Sequence, residues 1–107
     1  MKNFNKYQFL RDLEEMIQND LDSNNIEPNY DSIQEYIYSI IDNAVIYYAD
    51  AWAIAYELGD NYFENPITGE TCKNITELAY YSLLDYVQCE LDIDSIIKDY
   101  ELNQEEV

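Results

Sequence analysis

Apolar residues recur at spacings of three and four along most of this chain, which is the pattern of one face of an α-helix. The first periodic segment covers about residues 4–22. Its apolar positions are Tyr7, Leu10, Leu13, Ile17 and Leu21. The two glycines and two prolines all fall between the periodic segments. The pattern therefore predicts helices joined by few connections.

The longest periodic segment runs from Asp31 to Leu58 without interruption. Asp31, followed by Gln34 at the third helical position, resembles a capping box and predicts Asp31 as the N-cap. Gly59 predicts the stop at the other end. One continuous helix of this length would be about 40 Å long at 1.5 Å per residue. Because that is long for a small domain, a kink or break near residues 48–51 stays open.

The remaining segments are shorter. Residues 59–74 are predicted to form a loop, with a short hairpin near Thr68 and Gly69. Asn74 and Glu77 predict the start of a helix over about residues 75–90. A last helix over about 94–102 would either be capped by Asp94 or continue from the previous one, and residues 103–107 predict a frayed tail. The chain is thus predicted to be a single all-α domain, a bundle of three or four helices with one long central helix.

The charge of the chain is extreme for its size. It carries 23 acidic and five basic residues, a net charge of −18. Solubility of a small domain requires a net charge of only about 2–8. Such a chain repels nucleic acid and anionic membranes, so we expect neither to bind directly. It attracts cations and basic protein surfaces. The aromatic content of 15% separates it from disordered acidic tails.

The residue types also limit the chemistry. The chain has no histidine, which removes histidine-based general bases and nucleophile pairs. We therefore expect no enzyme activity and no cofactor. Cys72 and Cys89 lack CxxC spacing, and we expect Cys89 to pack within its helix and Cys72 to be a loop residue without a role. The sequence shows no signal-peptide core and no spanning run of apolar residues, which predicts a cytoplasmic protein.

The acids of the long predicted helix share one side of it. At about 100° per residue they fall within an arc of about 100°, which we call the acidic strip. The strip consists of Asp31, Glu35, Asp42, Asp50 and Glu57. Ile46 lies within the strip, and Tyr38 and Tyr56 flank one edge. Trp52 falls on the opposite, apolar arc and is predicted to be a core residue.

Amphipathicity alone accounts for the position of the strip, since a helix with a wide buried face must carry its charges on the other side. It does not account for the missing cations, because no Lys or Arg occurs in residues 12–72. Surfaces usually mix both signs, since like charges repel. The strip also carries apolar and tyrosine side chains of the kind found at interfaces. We therefore predict that it binds a basic partner.

The strip is sparse compared with DNA. Its acids are about 6–12 Å apart along a helix, whereas B-DNA carries one charge per about 1.7 Å of axis. Acids near the chain ends would have to contribute to any imitation of a duplex. The acids near the C-terminus are Asp92, Asp94, Asp99, Glu101, Glu105 and Glu106, and those near the N-terminus are Asp12, Glu14, Glu15, Asp20 and Asp22.

Residues 20–31 resemble the calcium loop of EF-hand proteins over twelve positions. Asp20, Asp22, Asn24 and Asp31 occupy positions 1, 3, 5 and 12 of that loop. The resemblance fails at position 6, which is Asn25 instead of Gly, and at position 12, which is Asp instead of the bidentate Glu. A turn with Asp31 as the helix cap is the favoured interpretation, and weak calcium binding is the alternative.

In size, charge and lack of catalytic residues the whole chain resembles the small acidic helical DNA-mimic proteins of bacteriophages, such as anti-CRISPR and anti-restriction proteins. The resemblance implies a non-enzymatic inhibitor acting in the host cytoplasm. Its target would be the basic DNA-binding channel of a nuclease or another DNA-binding protein, where carboxylates replace phosphates. The alternative is a helical adaptor or homodimerising module without nucleic-acid mimicry.

Overall fold

The computed structural model describes residues 3–105, and in this part of the chain five α-helices carry the fold. They are α1 (Lys6–Asp22), α2 (Tyr30–Ala44), α3 (Tyr48–Leu58), α4 (Ile75–Glu90) and α5 (Ile93–Glu105). The molecule is elongated, with extents of 50 × 28 × 19 Å. The all-α prediction is confirmed, but the predicted number of three or four helices is too low. No helix among the described residues is both long and apolar enough to cross a membrane.

Isoleucine and leucine stripes build the core. In α1 and α2 every fourth residue is buried, because positions four apart lie on the same face of a helix. The two stripes are Leu13, Ile17 and Leu21 in α1, and Ile33, Ile37 and Ile41 in α2. α2 contacts α1, α4 and α5, while α3 packs mainly on α4. The inward positions predicted for α1 are thus confirmed in its last three turns, but Tyr7 is exposed beside Lys6, whose Nζ lies 5.4 Å from the ring centroid.

The predicted long central helix is wrong, because the chain breaks at residues 45–47. α2 ends at Ala44, and Tyr47 has extended backbone angles (φ −90°, ψ 136°). Val45 is buried at the break. Neither Gly nor Pro occurs at this point, and the apolar periodicity continues through it. The sequence therefore gives no local signal for the break. The break allows the second half of the segment to pack mainly on α4.

Asparagine side chains cap three of the helices. Asn5, Asn29 and Asn74 accept hydrogen bonds from the backbone N–H groups of Gln8, Ser32 and Glu77, at 2.8–3.0 Å. The Asn74 cap and the bounds predicted for α4 are confirmed. The prediction of Asp31 as N-cap is wrong, since Asn29 takes this role and α2 begins one residue before Asp31.

α5 begins after a short interruption rather than continuing α4. Asp92 Oδ1 accepts a hydrogen bond from the Ser95 backbone N–H at 3.1 Å, and Asp92 Oδ2 accepts one from the Ser95 hydroxyl at 2.9 Å. Asp92 therefore satisfies the start of this helix instead of Asp94. α5 also extends beyond the predicted end at residue 102 to Glu105. Residues 106 and 107 of the predicted tail, including Glu106, lie outside the described residues.

The connection between α3 and α4, residues 59–74, contains a tight turn. Glu64 and Thr71 make an isolated antiparallel bridge around Gly69, whose φ of +77° suits glycine. The buried Asn65 accepts hydrogen bonds on its Oδ1 from the N–H groups of Ile67 and Thr68. This arrangement matches the predicted hairpin near Thr68 and Gly69.

Candidate functional site

α3 presents its bulky aromatic side chains to solvent. Trp52 is 47% exposed and Tyr56 is 83% exposed. The prediction of Trp52 as a core residue is therefore wrong. The buried side of α3 consists of Ala51, Ile54 and Ala55. Two alanines allow α3 to approach α4 closely, and the aromatic rings then lie on the other side.

A groove of about 470 Å³ runs beside these rings. It is lined by Asn3, Phe4, Ala49, Trp52, Ala53, Tyr56 and Glu57 and is called here the α3 groove. Ala49 and Ala53 are four residues apart, so they lie on one face of the helix between the larger side chains. The Tyr48 ring meets Trp52 edge to face, with centroids 6.0 Å apart. This contact restricts the orientation of the indole at the edge of the groove.

Exposed apolar side chains continue from the groove to the helix break. Together they form the aromatic face, which consists of Ile46, Tyr47, Tyr48, Trp52 and Tyr56. The predicted exposure of Ile46 is confirmed. Large exposed apolar patches are a common feature of interaction surfaces on small proteins. The apolar pattern did not predict the exposure of Tyr47, Tyr48 and Trp52, although the alanine pair Ala51 and Ala55 was an available signal for the buried side of α3.

The helix break divides the predicted acidic strip. Asp31, Glu35 and Asp42 are exposed on α2, and Glu57 is exposed on α3. Asp50 is half-buried. The arc of about 100° for the acidic strip holds only for one straight helix. It therefore does not describe acids that lie on two separate helices.

Asp42 and Glu57 line different surface depressions. Asp42 lies beside Tyr80 and Tyr81 of α4, whereas Glu57 lies in the α3 groove. Burial and, to a smaller degree, the charge of Asp42 raise the pKa of Tyr80. The strip acids Asp42 and Glu57 therefore lie at separate places on the surface, and Asp50 lines a third depression. Of the two flanking tyrosines, Tyr56 borders the α3 groove and Tyr38 accepts a hydrogen bond on its hydroxyl from Gln34 Nε2 at 2.9 Å.

A further group of carboxylates lies on α5 and directly before it. Asp92, Asp94, Asp99 and Glu101 are all exposed. Asp92 and Asp94 line a polar depression of about 590 Å³ together with Glu90 and the α2 residues Tyr30 and Gln34. The hydrogen bonds from the Ser95 backbone and hydroxyl lower the pKa of Asp92. This carboxylate therefore keeps its charge at lower pH than an ordinary aspartate.

The acidic residues of the calcium-loop resemblance do not come together as a metal site in the described residues. Asp20 accepts hydrogen bonds from the Tyr36 hydroxyl and from Asn25 Nδ2, and both lower its pKa. The left-handed residue is Asn24, with φ 61°, and Asp31 lies exposed in the first turn of α2. Within residues 3–105, no group of three or more acidic or thiol side chains is placed to hold a metal ion. Asp20 and Asp22 lie in the last turn of α1, Asn24 lies in the connector, and Asp31 lies in the first turn of α2.

The two cysteines lie in different environments. Cys72 is buried, and burial followed by the charge of Glu77 raises the pKa of its thiol. A raised pKa keeps the thiol protonated and unreactive. Cys89 is exposed, so the prediction that it packs within the helix is wrong.

Comparisons of this chain with protein-family profiles, with curated proteins and with solved structures returned no match.

Proposed function

We propose that this protein is a non-enzymatic inhibitor that binds the basic nucleic-acid-binding surface of a DNA-binding protein, such as a bacterial defence nuclease. Its carboxylates would take the places of phosphates on that surface. The observation that carries the proposal is the net charge of −18 with no cation in residues 12–72. Those residues include α2, α3 and their exposed acids.

The charge density of the whole molecule is closer to that of nucleic acid than the charge density of the acidic strip alone. A net charge of −18 along a 50 Å axis corresponds to one net charge per about 3 Å, compared with one per about 1.7 Å for B-DNA. This density involves acids from all five helices. The α2 and α5 groups, rather than a single row, would meet the arginines and lysines of the target.

Contacts between carboxylates and arginine are strong and directional. An Arg–carboxylate pair forms two parallel hydrogen bonds, as an Arg–phosphate pair does. The exposed aromatic face adds a different contribution, because Tyr and Trp anchor interfaces through buried apolar area. Together the acids would supply attraction and orientation, and the aromatic residues would slow dissociation.

A helical adaptor or homodimerising module is the second candidate. The observation that favours it is the exposed aromatic face, which a second protein would cover. The charge opposes self-association, however, because each copy carries −18 and two copies repel each other. A basic partner removes that repulsion instead of doubling it. For this reason the inhibitor is the stronger proposal.

The test begins with affinity capture from a nuclease-treated bacterial lysate, followed by binding measurements on the purified partner. We expect a DNA-binding protein whose complex is displaced by duplex DNA and weakens steeply between about 50 and 200 mM salt. Replacing the α2 acids (Asp31→Asn, Glu35→Gln and Asp42→Asn together) should weaken binding. The matched α5 variant (Asp94→Asn, Asp99→Asn and Glu101→Gln) removes the same number of charges and shows which group faces the target. Binding that is insensitive to salt and not displaced by DNA would exclude the proposal.

A further inference from the structure

We infer that the α3 groove is a docking site for an arginine side chain of a basic protein partner. The inference deepens the proposed function, on which it rests for the existence of a basic partner. It concerns a different part of the surface from the α2 and α5 acids.

The groove has the form of a side-chain pocket. Its volume of about 470 Å³ lies within the range of about 300–1,000 Å³ found for ligand pockets. Ala49 and Ala53 leave the space open, and Phe4, Trp52 and Tyr56 border it. Phe4 also contacts Phe9 of α1, with ring centroids 5.6 Å apart, which fixes one side of the groove to the helical core.

The electrostatics favour a cation with an apolar stem. Glu57 is an exposed acidic residue that lines the groove, and the chain around it is strongly negative. A purely apolar side chain would fill the space but would leave this carboxylate partly desolvated without a partner. An arginine satisfies both parts, because its methylene stem packs on apolar surface and its guanidinium pairs with a carboxylate.

Aromatic walls favour arginine over lysine. A planar guanidinium stacks on Trp and Tyr faces, whereas an ammonium is a compact and strongly hydrated charge. Cation–π contacts, which arginine makes more often than lysine, have energies at exposed sites that correspond to about a two- to fivefold difference in affinity. Trp52 is the best such ring in the groove, and its contact with Tyr48 restricts its orientation.

A second copy of this chain is a poor occupant. The chain contains a single arginine, Arg11, which already donates a hydrogen bond to Gln8 Oε1 at 3.0 Å. Two copies would also bring two charges of −18 together. The occupant is therefore a protein that presents arginine on a basic surface.

The experiment compares hexa-arginine with hexa-lysine on the intact protein. Both peptides carry the same charge, so general attraction to the acidic surface is shared by the two. Trp52 is the only tryptophan in the chain, and its fluorescence reports on the groove directly. We expect hexa-arginine to change the Trp52 emission and to bind about two- to fivefold more tightly than hexa-lysine.

Two variants locate the binding. Ala49→Leu fills the groove without changing the charge and should abolish the preference for arginine while hexa-lysine binding stays unchanged. Glu57→Gln should weaken hexa-arginine more than Glu35→Gln, which removes an equal charge from α2. Equal affinity for the two peptides, or a preference that survives Ala49→Leu, would overturn the inference. So would a dimer, detected by light scattering, that Ala49→Leu disrupts.

The peptide result is separable from the proposed function. If the groove prefers arginine but the captured partner is not displaced by DNA, the docking site stands and nucleic-acid mimicry fails. If DNA displaces the partner and the groove shows no preference, mimicry stands and the docking site fails.

Discussion

The Tyr36 hydroxyl on α2 donates a hydrogen bond to the carboxylate of Asp20 near the end of α1. This bond joins the two helices across their connector. Its acceptor, Asp20, is the residue that would be the first ligand of a calcium loop. It lowers the pKa of Asp20. Burial, followed by the same bond and the Asp20 charge, raises the pKa of Tyr36 to about 12.

The first prediction concerns the titration of Tyr36. Asp20→Asn should lower the pKa of Tyr36 from about 12 toward the ordinary tyrosine value, because the carboxylate that disfavours the phenolate is removed. Burial remains and keeps part of the shift. NMR of ring-labelled tyrosine measures the change. Asp22→Asn, which removes the same charge two residues away, should leave Tyr36 much less affected.

The second prediction concerns stability and pH. Because the folded state lowers the pKa of Asp20, its carboxylate stabilises the fold at pH values above the ordinary aspartate pKa. This contribution is lost as the pH falls through the lowered value. The difference in unfolding free energy between the wild type and Asp20→Asn should therefore shrink on acidification. Urea denaturation across a pH series tests this, and a constant difference would contradict it.

The third prediction separates the two candidate caps of α2. Asn29→Ala should lower the free energy of unfolding by about 1 kcal/mol, because it removes the acceptor for the Ser32 N–H. Asp31→Ala should cost less, about 0.3–1 kcal/mol, through the helix dipole alone. Chemical denaturation of both variants decides between them. A larger loss for Asp31→Ala would favour the capping-box interpretation of the sequence.

The fourth prediction compares two alanines on opposite sides of α3. Ala51 is fully buried, so Ala51→Leu should destabilise the fold by about 1–3 kcal/mol through overpacking. Ala49 is exposed, and Ala49→Leu should change the stability by no more than about 0.5 kcal/mol. Thermal or urea unfolding measures both. Equal losses would mean that α3 is rotated relative to the structure described above.

The fifth prediction concerns the surroundings of Trp52. Relative to free N-acetyltryptophanamide, an exposed indole on an acidic surface should be quenched more by caesium and less by iodide at low ionic strength, because the cation is attracted and the anion repelled. Added salt should reduce the difference by screening. Neutral acrylamide serves as the control for exposure alone. Weak quenching by all three would show that the ring is covered.

Much of the helical pattern could be predicted from local signals. The Asn74 cap and the extent of α4 followed from residues adjacent in the chain, as did the buried stripe of α1. The break at residues 45–47 could not be predicted in this way, because Val45 and Ile46 continue the apolar periodicity and no Gly or Pro interrupts it. The break depends on which neighbouring helices the two halves meet.

The sequence by itself determined an all-helical domain, its charge of −18 and the absence of histidine chemistry. These features depend on residue type and on local spacing. Only the tertiary structure decided which side of α3 is buried. Both sides of that helix are apolar, so a helical wheel does not distinguish them. Close packing on α4 selects the small alanines, and the aromatic residues Trp52 and Tyr56 are therefore left at the surface beside Glu57.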